Sequence, residues 1–124
     1  MLTQRFAAQH DGRPGGRVVW MTSGQALGPM SGNLAYAVAK AALAGATLSV
    51  SAELAAAGIL LNTVNPGPVN TGYLDDVPAD VRARFPAGRV GEPDDPARLI
   101  AWLVSDEGRW MVGQVLHSEG GFIR

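Results

Sequence analysis

The chain has 124 residues, 47% of them apolar and 17% charged, with a formal net charge of −1 and no cysteine. That length permits one folded domain with its own core, and the near-neutral charge gives no electrostatic basis for nucleic-acid or anionic-membrane partners. The lack of cysteine excludes a disulfide framework and a thiolate zinc site, and fits a reducing, cytoplasmic setting.

Residues ~2–9 have the pattern of a helix end, and Asp11-Gly12-Arg13-Pro14-Gly15-Gly16 is a run of breakers that turns the chain. A strand is predicted over ~17–22, where Arg17-Val18-Val19-Trp20-Met21-Thr22 is nearly continuous in apolar residues, as in a parallel strand covered on both faces. Gly24 to Asn33 is a loop, followed by a long helix from ~Leu34 to Ala57 closed by Gly58. The next strand covers ~59–64. Residues ~67–93 are irregular, with a short helix near Ala79–Arg84, and a helix from ~Asp94 to Ser105 begins on acidic residues, as its dipole favours. A strand over ~114–118 ends the series. This alternation of strands and helices predicts an α/β, doubly wound parallel layer. No uninterrupted apolar run reaches the ~18 residues of a membrane span.

Within that frame, the one lysine, Lys40, follows Tyr36 by four positions in Tyr36-Ala37-Val38-Ala39-Lys40. On a helix, positions i and i+4 share a face, which puts the phenol and the ammonium in the same space. A fixed positive charge favours a phenolate, and so suits a tyrosine that must give and take protons. By itself such a pair is ordinary in an amphipathic helix, where a lysine stem reaches toward water. Ser23 stands at the end of the first strand, thirteen residues before Tyr36, and the second strand breaks into Asn65-Pro66-Gly67-Pro68-Val69-Asn70-Thr71.

Serine, tyrosine and lysine in this order and spacing, followed by a strand and a Pro-Gly turn, resemble the short-chain dehydrogenase/reductase family. Gly88-Arg89-Val90-Gly91-Glu92-Pro93-Asp94-Asp95 and the later Gly113-Gln114-Val115-Leu116-His117-Ser118-Glu119-Gly120-Gly121 resemble its C-terminal end. Within the family the chain is similar to bacterial 3-oxoacyl-acyl-carrier-protein reductases. The glycine-rich T-G-x-x-x-G-x-G turn, the N-N-A-G strand end and the active-site asparagine of the family have no counterpart here. Residues 1–124 are therefore expected to form a single partial domain, the C-terminal half of a Rossmann-like sheet of three strands with intervening helices, without the glycine-rich cofactor half.

The resemblance implies a chemistry. Tyr36 would be the general acid and base, Ser23 would donate a hydrogen bond to the reacting oxygen, and Lys40 would assist Tyr36 and hold the cofactor's ribose. Pro66 and Gly67 match the turn beneath a nicotinamide, Val69 the backbone that binds its carboxamide, and Thr71 the hydroxyl near its phosphates. The cofactor would be NAD or NADP, the partner a small-molecule carbonyl or alcohol, and the complete protein a homo-oligomer, dimer or tetramer. The loop residues Gln25, Leu27 and Met30, with Tyr73, Leu74, Phe85 and Pro86, would wall the substrate pocket.

Each residue also has a plainer reading. Ser23-Gly24 is a common turn and Pro66-Gly67-Pro68 a common strand stop. His10 and His117 lack ligand partners at metal-binding spacing, so no metal is expected. Asp75, Asp76, Asp80, Asp94 and Asp95 fit helix starts and solvated loops, and Trp102 and Trp110 fit packing in a core or interface. Two functions stay open: a nicotinamide-dependent oxidoreductase, and a catalytically inactive remnant that acts as an interaction or oligomerisation module.

Overall fold

The computed structural model describes residues 2–72 and 76–124. Three parallel strands form one sheet in the order β1-β2-β3, with β1 at Gly16–Met21, β2 at Ile59–Asn65 and β3 at Val115–His117. Helix α1 (Leu2–His10) leads into β1, and a single 3-10 turn at Gly24–Ala26 follows it. Helix α2 (Leu34–Ala55) connects β1 to β2; α3 (Ala79–Arg82) and α4 (Asp94–Val104) lie between β2 and β3. The expected three-stranded α/β layer is thus present, with boundaries moved by at most two residues.

β2 is the central strand, and its side chains divide by parity, as a pleat requires. Ile59 and Leu61, both fully buried, face α2 and pack with Leu54, while Ala7, Val18, Trp20, Val50 and Ala57 close the cluster. In register, Val18 stands opposite Leu61 and Trp20 opposite Thr63. The indole N–H of Trp20 donates to Thr3 Oγ1 at 3.0 Å, which ties α1 to the same face. On the other face Asn62 bridges to the turn before β3: its Nδ2 donates to the Met111 carbonyl at 2.6 Å, and its Oδ1 accepts from the Gln114 N–H at 3.0 Å. These bonds satisfy an amide that is 3% exposed and would otherwise destabilise the core.

Three expectations are modified. The first strand was expected to be covered on both faces, yet β1 is mostly half-buried, because it lies at the edge of the sheet and has no outer strand partner among the described residues. Trp110 is 94% exposed, which removes the core part of its expected role and leaves the interface part. Helix α2, 22 residues with a mean hydropathy of 1.4 over its most apolar window, is long and apolar enough by composition to cross a membrane. Counting uninterrupted runs missed this, because Lys40 and Glu53 interrupt the helix without lowering its average enough. In the structure α2 lies against β2 and β1. Thr47, Ser51 and Leu54 are buried there.

The long segment after β2 is more ordered at its base than its composition suggests. Val69 and Gly91 form a parallel bridge, with Gly91 N–H donating to the Pro68 carbonyl at 2.9 Å and Asn70 N–H to the Gly91 carbonyl at 2.8 Å. Phe85, 4% exposed, stacks on Phe122 with ring centres 4.7 Å apart, and the Ile123 N–H donates to the Arg84 carbonyl at 2.9 Å.

Candidate active site

Where β1 ends, the chain must leave a parallel sheet, and Ser23 takes an extended conformation (φ −149°, ψ −177°) just before the 3-10 turn. This projects the serine over the C-terminal ends of the strands, where crevices form in open α/β sheets. Helix α2 then brings Tyr36 back to the same edge. Ser23, Met30, Tyr36, Gly67 and Pro68 line one cleft of about 460 Å³, together with Gly24, Gly28, Pro29, Arg84, Glu119, Phe122 and Arg124. Tyr36 is 49% exposed, which leaves its phenol open to a bound molecule.

Lys40 lies one turn further along α2, with Nζ 5.6 Å from the centre of the Tyr36 ring. Its position is set by a reciprocal pair of bonds across the strand–helix junction. Lys40 Nζ donates to the Met21 carbonyl at 2.8 Å, and Thr22 Oγ1 donates to the Lys40 carbonyl at 2.8 Å. An ammonium has three donors; one is spent on Met21, leaving others for a sugar hydroxyl. The described donor set therefore fits a nicotinamide ribose.

The Pro66–Gly67 turn forms the opposite wall. Gly67 adopts φ +69°, a conformation costly for a residue with a Cβ, and a Cβ there would meet Glu119 Cα at 2.8 Å. The turn is held by Asn65, fully buried at the end of β2, whose Oδ1 accepts from the Gly67 N–H at 3.0 Å. Asn65 Nδ2 faces two acceptors, Glu119 Oε1 at 2.7 Å and His117 Nδ1 at 3.0 Å. Glu119 in turn is paired with Arg124, which donates from Nη1 to Oε2 at 2.7 Å and from Nη2 to Oε1. Burial pushes the Glu119 carboxyl up, but the bonds from Arg124 and Asn65 outweigh it and hold the group below its ordinary 4.5.

The predicted site residues are only partly gathered. Ser23, Met30, Tyr36 and Gly67 share the cleft, with Lys40 behind Tyr36. Pro66 borders a second cavity of about 290 Å³ on the far side of the turn, with Phe85, Arg89 and Asp95. Val69 is buried in its bridge to Gly91, and Thr71 is exposed beyond it; neither lines the Ser23–Tyr36 cleft. Gln25 is outside the cleft and pairs with Thr22 Oγ1 at 3.4 Å. Tyr73 and Leu74 lie outside the described residues. Asn65, Arg84, Glu119 and Arg124 were not foreseen. Asn65 and Glu119 stood inside the quoted motifs, but nothing in their spacing, 54 positions apart, signals that their side chains meet.

Known proteins resemble the chain in sequence and in fold. The family described as "Enoyl-(Acyl carrier protein) reductase" matches residues 2–123. The chain is 54% identical over 110 residues to the uncharacterized oxidoreductase YjdA of Bacillus subtilis (strain 168), covering 88% of this chain and 44% of that protein. It is 39% identical over 112 residues to the 3-oxoacyl-[acyl-carrier-protein] reductase FabG of Escherichia coli (strain K12), covering 86% and 45%. The crystal structure of a short chain dehydrogenase from Burkholderia cenocepacia J2315 in complex with NADP superposes with a TM-score of 0.76 at 38% identity, over 87% of this chain and 46% of that one. The chain thus spans about half the length of the proteins it matches.

Proposed function

The chain belongs to the short-chain dehydrogenase/reductase family, and from that membership we propose that it carries the proton-transfer site of an NAD- or NADP-dependent oxidoreductase that interconverts a carbonyl and an alcohol. One observation carries the proposal: Ser23 and Tyr36, on different elements, open into one cleft, and Lys40 Nζ lies 5.6 Å from the Tyr36 ring.

Reduction of a carbonyl requires hydride at carbon and a proton at oxygen. A bound nicotinamide supplies the hydride, and the protein orients it. Ser23 Oγ donates a hydrogen bond to the substrate oxygen, where negative charge grows as the carbonyl is reduced. Tyr36 delivers its phenolic proton to that oxygen, and in the reverse direction accepts it from the alcohol. Lys40 places a positive charge beside the phenol and holds the ribose hydroxyls with the donors that Met21 leaves free. Gly67 borders the cleft opposite Ser23; Val69 and Thr71 lie outside it and would meet the carboxamide and phosphates where a bound cofactor extends past the turn. Met30, which lines the cleft, contacts the substrate; Gln25 and Tyr73 are assigned to the substrate by the family resemblance alone.

The similarity to FabG supports a 3-oxoacyl thioester as the first substrate to assay, with NADPH and NADH compared side by side. Tyr36→Phe in the full-length protein should lower carbonyl reduction by about 10²–10⁴-fold, while cofactor binding, followed by fluorescence of the reduced nicotinamide, is retained. Unchanged turnover in that variant would overturn the assignment.

A second reading, association of copies of this chain, is supported by α2. Its Leu34, Val38 and Leu48 are 77%, 60% and 70% exposed, more apolar surface on one helix than a solvated face requires. We propose a cytoplasmic homodimer or homotetramer that uses this helix.

A further inference from the structure

Glu119 touches both walls of the cleft. A Cβ on Gly24, the residue after Ser23, would lie 2.7 Å from Glu119 Oε1 and would collide with the Arg124 guanidinium; a Cβ on Gly67 would lie 2.9 Å from Glu119 Cβ. The carboxylate is therefore wedged between the turn that presents Ser23 and the turn built on Pro66–Gly67. Its side chain is 8% exposed and that of Arg124 is 25% exposed. The carboxylate oxygens are bound from both sides, by Arg124 and by Asn65 Nδ2, and Asn65 Oδ1 passes the connection on to the Gly67 N–H. The orientation of the Asn65 amide follows from chemistry, because a carboxylate only accepts and a backbone N–H only donates. Arg124 is fixed in turn: its Cζ lies 5.3 Å from the centre of the Phe122 ring, and Phe122 is stacked on buried Phe85.

We propose that Glu119 is a positioning residue that sets the separation of the Ser23 turn from the Pro66–Gly67 turn, through Arg124 on one side and Asn65 on the other. The inference rests on the oxidoreductase reading for its catalytic consequence, but not for its physical content. Without the negative charge, one of the two acceptor oxygens becomes an NH2 group that only donates, so the guanidinium loses one of its paired bonds or Asn65 must share a single oxygen with it. Both walls are then free to shift, and a misplacement on the scale of an ångström is enough to slow a reaction strongly.

The test is Glu119→Gln, which preserves shape and removes charge, made in the full-length protein beside Arg124→Ala and the double variant. Two readouts are taken. The amide resonances of Gly24 and Gly67 are followed by NMR, and steady-state carbonyl reduction is split into kcat and KM. Glu119→Gln should move both glycine resonances together and lower kcat about ten-fold, with the cofactor KM within about two-fold of wild type. Arg124→Ala should do the same, and the double variant should be no worse than either single one, since the two residues act in one interaction. A Gly67 resonance that stays in place, or an unchanged kcat, overturns the proposal. If the wild-type protein reduces no carbonyl, the oxidoreductase reading falls, and the joint movement of the two glycine resonances still decides whether Glu119 links the two turns.

Discussion

Charged side chains in this protein do local structural work, and the pH at which they stop can be stated. Asp95, in the first turn of α4, accepts from both guanidinium nitrogens of Arg89 at 2.7 and 3.1 Å and from the Glu92 N–H at 2.8 Å. The Arg89 hydrogen bonds, followed by the Glu92 bond, lower its pKa from 3.8 to about 2. A depressed carboxylate pKa means the folded state binds its proton less readily than the unfolded state. The stability Asp95 adds is complete above its unfolded value near 3.8 and is lost as pH falls through about 2. Asp95→Asn should accordingly melt below wild type at about pH 5, and the gap in Tm should close by about pH 2. A gap that stays constant across that range would show that the charge is not the cause. Glu119 has the same sign, for the reasons given by its bonds to Arg124 and Asn65.

Among the elements, α2 is bound to the sheet through polar as well as apolar contacts. Thr47 and Thr63, 1% and 0% exposed, share a hydrogen bond of 2.6 Å between hydroxyls, and Thr47 Oγ1 also donates to the Leu43 carbonyl at 2.8 Å. The Thr63 hydroxyl is therefore the donor to Thr47. Thr47→Val should cost about 1–3 kcal/mol in urea unfolding because it strands a buried hydroxyl, whereas Thr47→Val with Thr63→Val should recover most of that loss. Equal destabilisation by the single and double variants would mean packing, not the bond, governs the site. Such pairs explain what the sequence could and could not tell. Runs such as Val18-Val19-Trp20 and Ile59-Leu60-Leu61 announce strands by local composition, and the alanine-rich stretch after Asn33 announces a helix. The serine, tyrosine and lysine were legible through their resemblance to the family's motif; helix geometry added only that Tyr36 and Lys40 share a face. The bridge between Val69 and Gly91, and the contact of Asn65 with Glu119, join residues far apart in the chain. They depend on how whole elements pack, and no periodic pattern records them. The 3-10 turn at Gly24–Ala26 was read as loop because three residues closed by a bond such as Leu27 N–H to the Gly24 carbonyl, at 2.9 Å, are too short to leave a periodic pattern.

At the scale of the molecule, the outer edge of β1 and the apolar face of α2 are left open among the described residues. Unpaired strand edges invite pairing with other chains, and the proposed assembly through α2 would cover the second surface. Sedimentation velocity should give a dimer or tetramer for the full-length protein, with Leu48→Glu shifting the distribution toward smaller species; an unchanged distribution would place the contact elsewhere. The bridge at the base of the segment between β2 and α4 has a consequence for how such a protein diversifies. Because Val69 and Gly91 are fastened to each other and Phe85 is stacked on Phe122, the chain between them is rooted at three points rather than two. Residues 76–83 can be rewritten, by exchange with a relative, without removing the Phe85 contact on which Phe122 and Arg124 rest. New preferences are then gained by grafting that short stretch, while Arg84 and Phe85 are inherited with the base.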